Sequence, residues 1–283
     1  MRIFCLNILI LLCQIEIYGQ VIRGHITDSK TNKPIEYVSI GIVNTTFGAI
    51  SDEKGFFEFE YKAQDISSNV KISMIGYKSQ IFSVKDLLQK DFNVRMIDTV
   101  YEIKEIVIKP TVEKIVGANG FDKSRGISGW AGLYDRKGYE IGIKLDLGNK
   151  PVKIKSLHVM IDHQAFDTCY FRLHIRSIRD TLILDELLTE NIIVPISKES
   201  GWVDVNLENY NLNFSGEIGL TLEWLKVIGV NKARKMNVNN QIYDAYFLLK
   251  NKKKYMGLYR FGTEAKWSIN KENSPSMYLK ILK

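Results

Sequence analysis

Peptide hydrolysis by a zinc carboxypeptidase needs a His-x-x-Glu pair and a distant third histidine, because one metal must both hold and activate a water. The chain has four histidines, His25, His158, His163 and His174, and none has a glutamate three residues on. His-Glu-x-x-His, Gly-x-Ser-x-Gly and a phosphate-binding P-loop are also missing. His158, Asp162, His163 and Asp167 form the one compact group of ligand-type residues, suited in kind to zinc or calcium. Their spacing matches no known ligand set, so they read as a polar loop following a core strand. Cys169 alternates with Phe171, Leu173 and Ile175 and reads as a small buried hydrophobe, with no base to activate it. His174, between Arg172 and Arg176, is expected at the surface. No catalytic residue, metal or cofactor is assigned.

The remaining chemistry is binding. Indole rings stack on the apolar faces of sugars and bury much area there. Of Trp130, Trp202, Trp224 and Trp267, Trp224 reads as core. Trp202 has Val203 and Val205 on the opposite face, and Trp267 follows a loop-like Gly-Thr-Glu. Trp202 and Trp267 are therefore the candidate sugar contacts. The second candidate is electrostatic. From Lys226 onward the chain has thirteen Lys and Arg against three acids, although the whole carries only +7. Lys252, Lys253 and Lys254 are the densest part of that surplus and the candidate contact to an anionic polymer or lipopolysaccharide. The competing reading is a solvated turn.

These residues must be positioned by strands. Tyr139, Ile141, Ile143, Leu145 and Leu147 alternate strictly with Glu140, Gly142, Lys144 and Asp146. Val152–Ile161 continues as a strand, with a change of face near Lys155 and Ser156 that predicts a bulge. Strands are also expected at 169–176, 202–207, 218–225, 242–249, 255–261 and 277–282. Earlier, Val38, Ile40 and Ile42 alternate with polar or small residues, as do Phe57, Phe59 and Tyr61 and then Val70, Ile72 and Met74. Polar turns at Asp28–Pro34 and Ser51–Gly55 separate the runs, and Gly55 is free to take positive φ.

The first half carries an ordered set of short motifs. They are Gly24-His25-Ile26-Thr27-Asp28, Pro34-Ile35, Val38-Ser39-Ile40, the run from Gly48 to Phe57, and Ser73-Met74-Ile75-Gly76-Tyr77. In this order they resemble the carboxypeptidase regulatory-like domain. The resemblance implies a transthyretin-like β-sandwich over residues 20–109. It also implies a module that is typically non-catalytic, found beside secreted peptidases and as the N-terminal extension of TonB-linked outer-membrane receptors. Glu102–Ile108 looks like the segment that leads into a receptor plug, but no plug follows.

The organisation expected is all-β. Residues 1–19 read as a secretory signal peptide, with Met1-Arg2, an apolar run from Ile3 to Cys13, and Gly19 before the cut. Residues 20–109 form the first sandwich, 110–129 a glycine-rich linker, and 130–283 a jelly-roll-like second sandwich. After cleavage only Cys169 remains, so stability must come from the core. The expected function is an exported, non-catalytic protein of the periplasm, outer membrane or cell surface, binding a glycan or an envelope protein. Peripheral outer-membrane association is allowed, and no nucleic acid is expected. The alternatives are a glycan hydrolase of unrecognised motif, whose paired acids would meet only in the fold, and an accessory component of a TonB-linked uptake complex.

Overall fold

The computed structural model describes residues 20–88, 92–99, 112–123, 127–131, 137–231, 235–238, 241–243 and 245–283. The expected signal segment and the Glu102–Ile108 segment lie outside them. The described chain is all-β, and none of its helices is long and apolar enough to cross a membrane.

The first domain contains β1 (Gln20–Asp28), β2 (Ser39–Ile42), β3 (Gly48–Ile50), β4 (Phe56–Tyr61), β5 (Asn69–Ser73), β6 (Gln80–Ser83) and β7 (Asn93–Met96), with a single helical turn, α1 (Val84–Leu87), after β6. One sheet has the order β4-β1-β7 and the other β3-β2-β5-β6. Their inner faces supply Ile22, Ile26, Ile40, Phe57, Val70 and Ile72 to one core. The period-two pattern explains this, since each strand presents alternate residues to the facing sheet.

The second domain contains β8 (Glu113–Gly117), β9 (Ile127–Ala131), β10 (Tyr139–Asp146), β11 (Val152–Gln164), β12 (Phe166–Arg179), β13 (Leu182–Glu186), β14 (Ile193–Ile196), β15 (Gly201–Asn206), β16 (Asn213–Phe214), β17 (Glu217–Val230), β18 (Met236–Val238), β19 (Gln241–Tyr243), β20 (Tyr246–Lys253), β21 (Gly257–Phe261), β22 (Trp267–Asn270), β23 (Asn273–Pro275) and β24 (Met277–Leu282). One sheet runs β13-β12-β17-β10-β21-β22, with β14 also on β12. The other runs β23-β20-β11-β24-β8, with β15 and β16 on β11 and β9 on β20. The chain crosses repeatedly between the sheets, as in a jelly roll. Between them lies an aromatic centre in which Trp224 meets Trp130, Phe166, Phe171 and Phe247 at centroid distances of 5.1–6.1 Å. Such pairs each add about 0.5–1.5 kcal/mol beyond the area they bury. The expected bulge appears in β11, where the register with β24 shifts between Ile154 and Ser156. Within the segment expected to be a linker, β8 pairs with β24 and β9 with β20, so the second domain's sheet begins earlier than its glycines suggested.

The two domains stack sheet upon sheet. The outer face of β2 and β5 lies on the outer face of β12, β17 and β10. Asn44 N donates to Glu264 O at 2.9 Å, and Thr263 Oγ1 donates to Ile40 O at 2.8 Å. Gly76, at φ +88°, turns the chain after β5 in a conformation that disfavours side chains. Ile75, just before it, is buried in the second domain's core rather than the first's.

Candidate functional site

The densest chemistry in the described residues lies in this junction. Four adjacent strands place one charged residue each in a single cross-strand row. Arg172 on β12 is opposite Glu223 on β17, Glu223 is opposite Glu140 on β10, and Glu140 is opposite Arg260 on β21. Trp267 on β22 continues the row opposite Arg260. Each of the four charged positions alternates with core residues, so all point away from the aromatic centre. In an isolated sandwich they would face water. Here Ser39 and Tyr37 of the first domain lie on Arg172 and Glu223, while Arg176, Thr221 and Arg260 enclose Glu140, leaving Arg172 1 %, Glu140 2 % and Glu223 0 % exposed.

The row is closely bonded. Glu140 receives Arg176 Nη1 at 2.6 Å, Thr221 Oγ1 at 2.8 Å and Arg260 Nη2. Glu223 pairs with Arg172 Nη1 at 3.1 Å and with His174 Nε2 at 3.0 Å. Nδ1 of His174 meets Glu186 at 2.6 Å. The first domain completes the set. Ser39 Oγ donates to Glu223 at 3.0 Å and accepts from Arg172 at 3.2 Å, while Arg172 Nη2 donates to the carbonyl of Tyr37. Tyr37 is held at φ +67° to present that carbonyl, a backbone state costing a non-glycine residue about 1–2 kcal/mol. Trp267 caps the edge, with the guanidinium carbons of Arg260 and Arg176 5.0 and 5.5 Å from its ring centroid.

Electrostatics follow from these contacts. Burial alone would raise the carboxyls, since it disfavours charge. At Glu140 the neighbouring Arg176 and Arg260 outweigh it and hold the group well below its ordinary value. At Glu223, Arg172 and His174 overcome burial and bring it to about 2. Glu186 is lowered in the same way by His174 and Arg176. Burial and Arg176 oppose protonation of His174, but Glu140 and Glu186 prevail and raise it.

One donor atom each from Glu140, His174 and Glu223 lie within 4.8 Å of one another, as metal ligands would. The set does not fit a cation. Arg176 and Arg260 already occupy Glu140, and Arg172 occupies Glu223, so an ion would enter against three guanidiniums. We expect zinc, manganese or calcium to leave the melting temperature unchanged at millimolar concentration; a rise of several degrees would show a site the geometry denies.

The expected ligand cluster does not converge. His163 meets Asp162 at 3.5 Å, Asp162 pairs with Lys250, and Asp167 lies beside Gly229. His158 instead joins another group on the outer face of β11. Its Nδ1 bonds Asp204, its Nε2 is 2.8 Å from Ser156 Oγ, and Tyr278 stacks on the ring at 4.3 Å. The order Ser-His-Asp is that of a hydrolase relay. Ser156, however, sits mid-strand between β15 and β24, in a ladder that engages backbone amides on both sides. Ser156 therefore lies within a strand and not at a turn or helix N-terminus of the kind that presents two amides to an oxyanion. A fluorophosphonate probe is expected not to label Ser156, and stoichiometric labelling would overturn this assignment.

The other candidates are dispersed. Trp202 is half-buried on β15 with its ring 5.0 Å from Tyr278, on the sheet away from the junction. Trp267 is half-buried at the junction's edge. Lys252 Nζ pairs with Asp122 at 3.1 Å, the amide of Lys253 donates to the same carboxylate, and Lys254 turns the chain at φ +71°. The expectation that His174 is a surface residue is corrected. It is 5 % exposed, with Arg172 beside it buried, because the polar face of β12 is covered by protein. Sequence reading missed Glu140, Arg172, Arg176, Glu223 and Arg260 as a group. The available signal was one charge recurring opposite the core on several long apolar strands.

Above the row lies a cleft of about 300 Å³ between the domains. Its first-domain wall is the Ser73–Tyr77 turn with Lys71, and its second-domain wall includes Arg176, Glu186 and Glu264.

No curated protein matches the chain. The family model of the CarboxypepD_reg-like domain matches residues 22–108, the stretch that supplies the Ser73–Tyr77 wall of the cleft. The first sandwich of this protein is therefore a CarboxypepD_reg-like domain.

Proposed function

We propose that this protein is an exported envelope protein that binds a glycan without cleaving it, using two sandwiches fixed to each other as one rigid body. The observation that carries this reading is the commitment of the two buried junction carboxylates, Glu140 and Glu223, to arginine and other donors. Glu140 and Glu223 are as close as the nucleophile and acid of a retaining glycosidase. A glycosidase also needs one carboxyl that keeps a proton near neutral pH, normally by a raised pKa. Both are held low by arginine, and neither is open to solvent. The pair therefore lacks the acid and the access that the hydrolase alternative requires. Export is supported by the short basic start, the apolar run Ile3–Cys13 and Gly19.

The test is incubation of the purified chain with a panel of glycans, reading binding and reducing-end release together. Retention of at least one glycan with no release is expected. Release that disappears in Glu140→Gln or Glu223→Gln would overturn the proposal.

A further inference from the structure

We propose that the interdomain cleft is the glycan site and that it takes a single uncharged sugar residue. This rests on the binding reading above and goes further by naming the place and the ligand chemistry. A cleft of about 300 Å³ is at the lower end of the range for small-molecule sites, which suits one ring rather than a long chain.

The lining carries four cations, Lys71, Arg172, Arg176 and Arg260. Against them stand Asp185, Glu186 and Glu264 in the lining, with Glu140 and Glu223 bonded directly behind. With His174 protonated the set is neutral, and with His174 neutral it carries one negative charge. A phosphate or carboxylate would meet acids, and a metal ion would meet guanidiniums. An uncharged molecule rich in paired donors and acceptors meets neither obstacle, and adjacent sugar hydroxyls are of that kind.

The cleft also holds unspent hydrogen-bonding capacity. Lys71 Nζ reaches Glu264 only at 3.3 and 3.5 Å, and Ser73 Oγ reaches it at 3.5 Å. These contacts are at the limit for a hydrogen bond, so a hydroxyl placed among the three would improve all of them. Asp185 is exposed across the cleft and accepts hydroxyl donors. Leu184, 44 % exposed, and Met74 offer apolar surface for the C–H face of a ring.

The experiment is saturation-transfer NMR and calorimetry on the full chain with glucose, galactose, mannose and N-acetylglucosamine, and separately with inorganic phosphate and calcium. Saturable binding of at least one sugar, with Kd of about 1 mM or tighter, is expected. Lys71→Ala and Asp185→Asn are both at exposed or half-exposed positions and should leave folding intact. Each is expected to weaken binding about tenfold or more, whereas Trp202→Ala on the far sheet should not. Sugar binding that is lost in Trp202→Ala but unaffected by Lys71→Ala would overturn the cleft assignment and leave the binding function standing. Phosphate or calcium binding in the cleft without sugar binding would overturn the ligand class. Failure of every sugar and of the longer glycans would remove both.

Discussion

Replacing Glu140 with glutamine is expected to destabilise the protein by about 3–5 kcal/mol, because it removes one partner from a buried ionic group. The side chain keeps its size, so no cavity forms. The charge that Arg176 and Arg260 share at Glu140 disappears, and two largely buried guanidiniums are left with only a weak neutral acceptor. For a chain of this size the melting temperature should fall by about 10 °C. The double variant Glu140→Gln/Arg260→Met should regain part of the loss, since it also removes the uncompensated cation, while Arg176 retains Glu186. Thermal denaturation of the wild type and the two variants checks this. Equal melting temperatures for the wild type and Glu140→Gln would mean that the row is hydrated and contributes little.

Acid should act through the same groups. Glu140, Glu186 and Glu223 have folded values below their ordinary 4.5, Glu223 at about 2. Their contribution is full above 4.5 and is lost as pH falls from there towards 2. His174 has the opposite sign. Its value is raised above 6.5, so its contribution is full below that and fades as pH rises through the raised value. Stability should therefore be greatest in the interval between, with a steep acid limb that is shallower in Glu140→Gln.

The second large effect is expected from Gly41→Val. A Cβ at position 41 would lie 2.2 Å from Thr263 Oγ1 and 3.1 Å from both the Cβ and the amide nitrogen of Glu264. All three atoms belong to the second domain, so the clash pushes the domains apart without touching the first domain's core. Overpacking of this kind costs about 1–3 kcal/mol. Thr263 would lose its bond to Ile40, and Asn44 its bond to Glu264. Hydrogen exchange should therefore accelerate at the amide of Asn44 and remain slow at Ile26, whose amide donates to Gly55 inside the first sandwich. Unchanged exchange at Asn44 would show that the junction tolerates the side chain.

The strands were legible because alternation is a direct physical consequence of a strand buried on one side. Tyr139–Leu147 announced β10, and the change of face at Lys155 and Ser156 announced the bulge. The turn motif Ser73–Tyr77 pointed to the first domain's family. Alternation shows that a strand has two faces but does not show what covers the second. The polar face of β12 therefore read as solvent-facing, and His174 was misplaced. The Arg172–Glu223–Glu140–Arg260 row depends on the register of four strands, all far apart in the chain, and no local pattern encodes that. The glycines near residues 117–129 suggested a linker, but β8 and β9 at its two ends are recruited by β24 and β20.

The central claim is that a buried, charge-balanced row fastens two sandwiches into one unit and is not a reaction centre. Differential scanning calorimetry of the intact chain at neutral pH tests it most directly. One transition, with equal calorimetric and van't Hoff enthalpies, is the predicted result. Two resolved transitions in the wild type, one for each sandwich, would contradict it.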